Sequence, residues 1–247
     1  MHADYHPPKD LLHDRIILVT GAGDGIGKAA AIAFAEHGAT VVLLGKTVPK
    51  LEQVYDLIEA AGGPTPAIYP MHLEGATPHD YDELAATLQS NFGRIDGILH
   101  NAASLPYLSR IKDYEVEDWL KTMQVNLNAP FQLTQACMPL LAASDDARVL
   151  FTTDEVGHVG KAFWGAYSVS KFGVEGLTQV LAAELEKGPI RVNCIDPGPT
   201  RTALRKRAFP GDDNSTLKPP EALVPLYLWA MGPDSRETTG QRLSWDD

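Results

Sequence analysis

The chain has 247 residues, 44% of them apolar and 21% charged, the balance of an ordinary globular protein long enough for a sizeable core. A formal net charge of −11 argues against a polyanion such as DNA as the main partner, so no nucleic acid is expected, although a local basic site for a phosphate remains open. The two cysteines, Cys137 and Cys194, stand in apolar segments with no metal-ligand spacing, which points away from a disulfide framework or a metal site.

Residues 1–14 form an N-terminal extension with three histidines, two prolines and no apolar signal core. No uncharged apolar run approaches membrane-spanning length, so no membrane partner is expected and the cytoplasm is the expected location. Residues 15–20 read as a buried strand and 26–37 as a helix ending at Gly38. Strand 40–44, helix 48–61, strand 67–73, helix 79–92 and strand 95–100 follow. Residues 116–141 read as one long helix bent at Pro130. Strand 147–153, helix 165–187 and strand 190–195 come next. The polar, Pro- and Gly-containing stretch 201–220 reads as a mobile loop, 220–231 as a last helix and 241–245 as an edge strand. Strict alternation predicts an α/β fold, a Rossmann-like doubly wound parallel sheet in a single domain.

Thr20-Gly21-Ala22-Gly23-Asp24-Gly25-Ile26-Gly27 joins the first strand to the first helix. Glycines there permit a tight turn and close backbone approach, and the helix N-terminus offers free N–H groups to a pyrophosphate. The second strand ends Leu44-Gly45-Lys46-Thr47, without the carboxylate that would bind a ribose diol and repel a 2′-phosphate. Lys46, helped by Thr47, suits the 2′-phosphate of NADP. Asp24 counts mildly against it, so NADP is the expected cofactor and NAD the alternative.

In the last long helix, Tyr167 and Lys171 stand one turn apart on one face. A lysine ammonium near a phenol favours the phenolate, so the Tyr167 pKa is expected to fall toward neutrality and make it a proton donor and acceptor.

The glycine turn, His100-Asn101-Ala102-Ala103 after the fourth strand, Tyr167-x-x-x-Lys171 after the fifth and Asp196-Pro197-Gly198-Pro199-Thr200-Arg201-Thr202 after the sixth occur in one order. This order resembles the short-chain dehydrogenase/reductase family across residues 15–245. Stretches 164–176 and 225–232 are similar to a bacterial subgroup of mostly uncharacterised oxidoreductases. The resemblance implies that Gly21, Gly25 and Gly27, with Asp24 and Ile26 in the same turn, line the pyrophosphate. It places Asn101 and Ala102 beside the cofactor and gives Asn126 a water linked to the lysine. Lys171 would bond the nicotinamide ribose, and Pro197, Gly198 and Thr202 would contact the nicotinamide end. Tyr167 would protonate a carbonyl oxygen, or deprotonate an alcohol in reverse. His72 stands where the family often has an Asp near the adenine and reads better as a strand-end histidine; Leu73 beside it is a candidate cofactor contact. A homodimer or homotetramer is implied through the helices carrying Asn126 and Tyr167.

The family's catalytic serine lies thirteen residues before the tyrosine, and here that position is Asp154. An ionised carboxylate accepts hydrogen bonds but donates none. At roughly 4 Å and an effective dielectric near 20, it would oppose a phenolate by about 4 kcal/mol. Three resolutions stand open. Asp154 is protonated and donates, or turns away and leaves Thr152 or Thr153 to donate, or the chain binds cofactor and turns over poorly. The last defines the alternative function, a cofactor-binding sensor or scaffold; a Rossmann-like methyltransferase would need neither Tyr167-x-x-x-Lys171 nor Asn126. Leu105, Tyr107, Leu108, Phe163, Trp164, Ala203, Leu204 and Phe209 form the expected substrate lining under a lid of residues 199–220. They suit a hydrophobic or aromatic carbonyl or alcohol. Arg201, Arg205, Lys206 and Arg207 read as an exposed lid-helix face.

Overall fold

The computed structural model describes residues 5–245. Seven parallel strands form one sheet in the order β3-β2-β1-β4-β5-β6-β7. They are β1 (Ile16–Thr20), β2 (Thr40–Gly45), β3 (Ala67–Pro70), β4 (Gly97–His100), β5 (Ala147–Thr152), β6 (Ile190–Asp196) and β7 (Arg242–Ser244). Helices α1 (Gly25–Glu36), α2 (Val48–Ala60) and α8 (Val224–Met231) supply the core on one face. Helices α3 (Pro78–Phe92), α5 (Ala129–Ala142) and α6 (Gly165–Glu184) supply it on the other. Two short helices, α4 (Val116–Met123) and α7 (Ala203–Ala208), complete the set.

The unbroken apolar runs of the central strands follow from this layering, because alternate side chains enter opposite cores. Ile17 and Val19 of β1 pack on the α1 side, and Leu18 packs on the α3 side. In β2, Val41 and Leu43 face one core, Val42 and Leu44 the other. A polar side chain at any of these fully buried positions would lose about 1.5–3 kcal/mol of burial free energy.

Three sequence expectations need correction. The long helix predicted over 116–141 is divided by a π-helical segment, Gln124–Asn128, upstream of Pro130. Pro130 has no N–H to donate to the carbonyls of residues 125 or 126, so the ladder loosens on its N-terminal side and Pro130 sits in the first turn of α5. The strand predicted over 67–73 stops at Pro70, leaving residues 71–73 at the sheet's carboxyl edge. The stretch 201–220 holds the ordered helix α7, capped by the Thr202 hydroxyl accepting from the Arg205 amide, and one 3₁₀ turn, Asn214–Thr216; a second, Pro220–Leu223, starts at its end.

The N-terminal extension is partly built into the domain; its residues 1–4 lie outside the described residues. Leu12 is fully buried, its amide donates to the His37 carbonyl at 2.9 Å, and Tyr5 donates to Asp234 at 2.7 Å. Among the described residues no helix is long and apolar enough to cross a membrane.

Candidate active site

The chain order reverses between β1 and β4, and beyond the carboxyl ends of these strands lies a cleft of about 460 Å³. This is the ligand position of doubly wound sheets. Every predicted site residue except Gly27 and Asn126 lines it: Gly21, Asp24, Gly25, Ile26, Lys46, Thr47, Leu73, Asn101, Ala102, Asp154, Tyr167, Lys171, Pro197, Gly198 and Thr202.

Gly27 and Asn126 act from behind the surface. A Cβ on Gly27 would sit 2.4 Å from the Gly21 carbonyl oxygen and 2.6 Å from Asn101 Nδ2, so only glycine lets α1 approach the turn this closely. The Thr20 hydroxyl accepts from the amides of Asn101 and Ala102 at 3.0 and 3.1 Å, joining the ends of β1 and β4. Asn126, 2% exposed, accepts from the Ser104 amide at 2.7 Å and donates to the Ser104 carbonyl and the Ser170 hydroxyl at 3.0 Å each. It thereby ties the π-helical segment to the loop after β4 and to α6.

At the other end of the cleft, Asp24 caps α1 by accepting from the Gly25 amide at 2.8 Å. Its second oxygen pairs with Lys50, whose hydrogen bond holds the carboxyl below its ordinary range. Lys46, Thr47 and Lys50 are exposed along this edge, with His72 opposite them. Lys50 was not foreseen as part of the site. Its signal was its place in the first turn of the helix following β2, and the carboxylate it meets is twenty-six positions away in sequence.

The centre of the cleft holds Tyr167, Lys171 and Asp154. The tight approach of α6 to the 3₁₀ turn Glu155–Gly157 sets their spacing. A Cβ on Gly157 would lie 2.6 Å from Lys171 Cβ and 2.8 Å from Thr153 Oγ1. Tyr167 and Lys171 are each 3% exposed. The Tyr167 hydroxyl donates to Asp154 Oδ2 at 3.2 Å, and Asp154 Oδ1 accepts from the Val156 amide at 3.1 Å. Lys171 Nζ donates to the Thr152 carbonyl at 2.6 Å and lies 5.5 Å from the centre of the Tyr167 ring.

This geometry overturns one expectation and disfavours one of the three open resolutions. The Tyr167 pKa is raised well above 10, first by burial and then by Asp154, whereas the spacing of Tyr167 and Lys171 predicted a fall. Burial also lowers Lys171 to about 8, and its ammonium is directed at a carbonyl. Nor does Asp154 turn away to leave a threonine as donor. The Thr153 hydroxyl donates to Glu175 at 2.9 Å, and the Thr152 hydroxyl lies 3.2 Å from the Tyr227 hydroxyl.

Arg242 of β7 supports the floor of the cleft by pairing with both Asp196 and Glu175. Asp196 accepts from the Gly198 amide at 2.9 Å and so shapes the Pro197-Gly198 turn; its burial raises its pKa. Leu105, Val156, Trp164 and Ala208 pack with Tyr167, with Leu108, Leu204 and Phe209 against them. Trp164 lies 5.6 Å from Tyr167 and 5.8 Å from Phe209, ring centre to ring centre. Of the expected substrate lining, Tyr107 instead accepts from the Glu115 amide at 3.2 Å, and Phe163 is 51% exposed with a left-handed backbone. Arg205 and Arg207 have partners here, the first over the Phe209 ring and to Asp212, the second to the Leu105 carbonyl.

Comparison with known proteins identifies the family and agrees with the fold. Residues 15–213 match the family model described as short chain dehydrogenase, and the chain belongs to that family. It is 49% identical over 236 residues to the uncharacterised oxidoreductase YciK of Escherichia coli K12, covering 96% of this chain and 93% of that protein. A short chain dehydrogenase of Shigella flexneri 2a, complexed with NADP, superposes with a TM-score of 0.95 at 47% identity, covering 97% of this chain and 100% of the other. One from Escherichia coli CFT073, complexed with NADPH, gives 0.94 at 49% identity, covering 96% and 99%.

Proposed function

We propose that the chain is an NADP-dependent oxidoreductase that interconverts an apolar alcohol and its carbonyl compound, with Tyr167 as the proton-transfer group. The single observation carrying this reading is that one cleft is lined by the glycine turn, Lys46 and Lys50 together with Tyr167 and Lys171.

The residues present fit a dinucleotide. The space that a Cβ on Gly27 would fill is closed by backbone, leaving the α1 N-terminus open to a pyrophosphate. Lys46, Thr47 and Lys50 would hold a 2′-phosphate; Lys50 first has to share its charge with Asp24. Pro197, Gly198 and Thr202 would contact the nicotinamide end. When bound, the nicotinamide exchanges hydride with the substrate carbon. Tyr167 exchanges the proton at the substrate oxygen, Lys171 holds positive charge beside it, and Asn126 fixes the loop after β4 and the start of α6 in register.

The lid of residues 199–220 closes over Tyr167 and excludes water, and its Trp164, Leu204 and Phe209 neighbours favour a hydrophobic or aromatic substrate. Exposed Leu120, Phe131, Val169, Phe172 and Val180 lie on α4, α5 and α6, which supports a homodimer or homotetramer through these helices. Sedimentation of the purified chain tests that part. Titration with NADPH and NADH, followed by turnover against a panel of aromatic and aliphatic carbonyls and alcohols, tests the rest. Tight NADPH binding without any turnover would favour the sensor or scaffold reading.

A further inference from the structure

We infer that Asp154 and Tyr167 form a two-step proton relay that favours alcohol oxidation and the oxidised cofactor, an inference that rests on the dinucleotide reading above. Both Asp154 oxygens accept hydrogen bonds, one from the Val156 amide and one from the Tyr167 hydroxyl. Both carboxylate oxygens are thus engaged as acceptors. With its own proton committed to Asp154, Tyr167 presents lone pairs to the cleft, which suit the O–H of an alcohol better than a carbonyl oxygen.

The step balances as follows. The alcohol C–H bond breaks and its electron pair leaves as hydride to the oxidised nicotinamide dinucleotide. The alcohol O–H proton moves to Tyr167 Oη, the Tyr167 proton moves to Asp154 Oδ2, and the carbon–oxygen double bond forms. The products are a carbonyl compound, a reduced dinucleotide and a neutral Asp154 carboxyl. Return of that proton to solvent resets the pair.

The surrounding charges support this direction. Lys171 is the cation beside Tyr167, with its ammonium on the Thr152 carbonyl. Asp196 of β6 faces the same region but is paired with Arg242 of β7, and Glu155 is paired with exposed Lys161. Among the described residues Asp154 makes no ion pair within 4 Å; it meets the phenol directly and feels the Lys171 ammonium only at longer range. A pyridinium cation gains from such a carboxylate, and the neutral dihydropyridine does not. The buried phenol's raised pKa agrees, because Tyr167 then passes its proton on without resting as a phenolate.

The test uses the full-length chain, with NADP⁺ and NADPH affinities measured by calorimetry for the wild type, Asp154→Asn and Asp154→Ser. The wild-type preference for NADP⁺ over NADPH should fall roughly tenfold in both variants. Ultraviolet difference titration of each variant against its Tyr167→Phe partner should show the Tyr167 phenolate appearing at lower pH than in the wild type. A preference unchanged within about twofold in both variants, with an unmoved phenolate, overturns the relay while leaving the cofactor reading intact. A wild type that binds neither dinucleotide overturns both. Circular dichroism confirms folding, and the serine variant carries the test if the asparagine variant does not fold.

Discussion

Tyr167 and Asp154, thirteen positions apart, share a 3.2 Å hydrogen bond in which the phenol is the donor. Burial and this carboxylate act together to raise the phenol pKa, while burial lowers that of Lys171 to about 8. Replacing Asp154 with serine removes the opposing charge and restores a hydroxyl that can donate to a carbonyl oxygen. Asp154→Ser is therefore expected to raise NADPH-dependent carbonyl reduction by about tenfold or more relative to alcohol oxidation. Initial rates in both directions, with one alcohol–carbonyl pair, check this; equal changes in both directions contradict it.

In the proposed reading Lys46 and Lys50 hold the 2′-phosphate, and Lys50 is paired with Asp24. Lys46→Ala should weaken NADPH about tenfold while changing NADH by less than about twofold. Asp24→Asn frees Lys50 and should tighten NADPH. Fluorescence titration of the two reduced cofactors reads both effects, and loss of NADPH and NADH to the same degree would place Lys46 outside the phosphate site.

The Gly27 position tolerates no Cβ, since its nearest neighbours are backbone and the Asn101 amide. Gly27→Ala should cost about 1–3 kcal/mol in urea unfolding and weaken both cofactors, because the turn must open to relieve the clash. A variant with unchanged midpoint and unchanged affinities would show that the turn has slack.

His100, in the position of the family's first asparagine, stacks on Phe151 at 4.7 Å and lies 2.8 Å from the Thr134 hydroxyl. Burial depresses its pKa to about 3, so the folded state keeps it neutral while the unfolded chain protonates it near its ordinary value of about 6.5. The unfolded state then binds more protons, and stability falls as pH drops through the window from 6.5 toward 3. Between pH 6.5 and 5 this single group should account for about 1–2 kcal/mol of loss. His100→Asn should flatten the stability profile over that interval. Unfolding midpoints at several pH values compare the two chains, and parallel profiles would contradict the assignment.

The sequence made the β1–turn–α1 unit readable because strand, glycines and helix start coincide within about a dozen residues. Asp154 was readable by counting from Gly157, whose close contact with α6 leaves little freedom in the spacing. What stayed hidden depended on distant partners. Lys50 meets Asp24 only after α2 folds back beside the glycine turn. Residues 201–209 look polar and loose along the chain, yet Phe209 packs on Trp164 and Arg207 reaches Leu105. The π-helical segment was hidden because Pro130 marks a break without saying on which side the ladder gives way. The Tyr167 pKa was misjudged because residue spacing shows a neighbouring lysine and not the burial of both groups.

Tyr167→Phe tests the role of this site most directly, measured as NADPH binding and as turnover in the same preparation. The phenol ring and its packing against Trp164 are kept, and only the hydroxyl is lost. Turnover should fall by about 10²–10⁴-fold while the NADPH dissociation constant stays within about threefold of the wild type. Turnover that survives the substitution would show that Tyr167 is not the proton-transfer group.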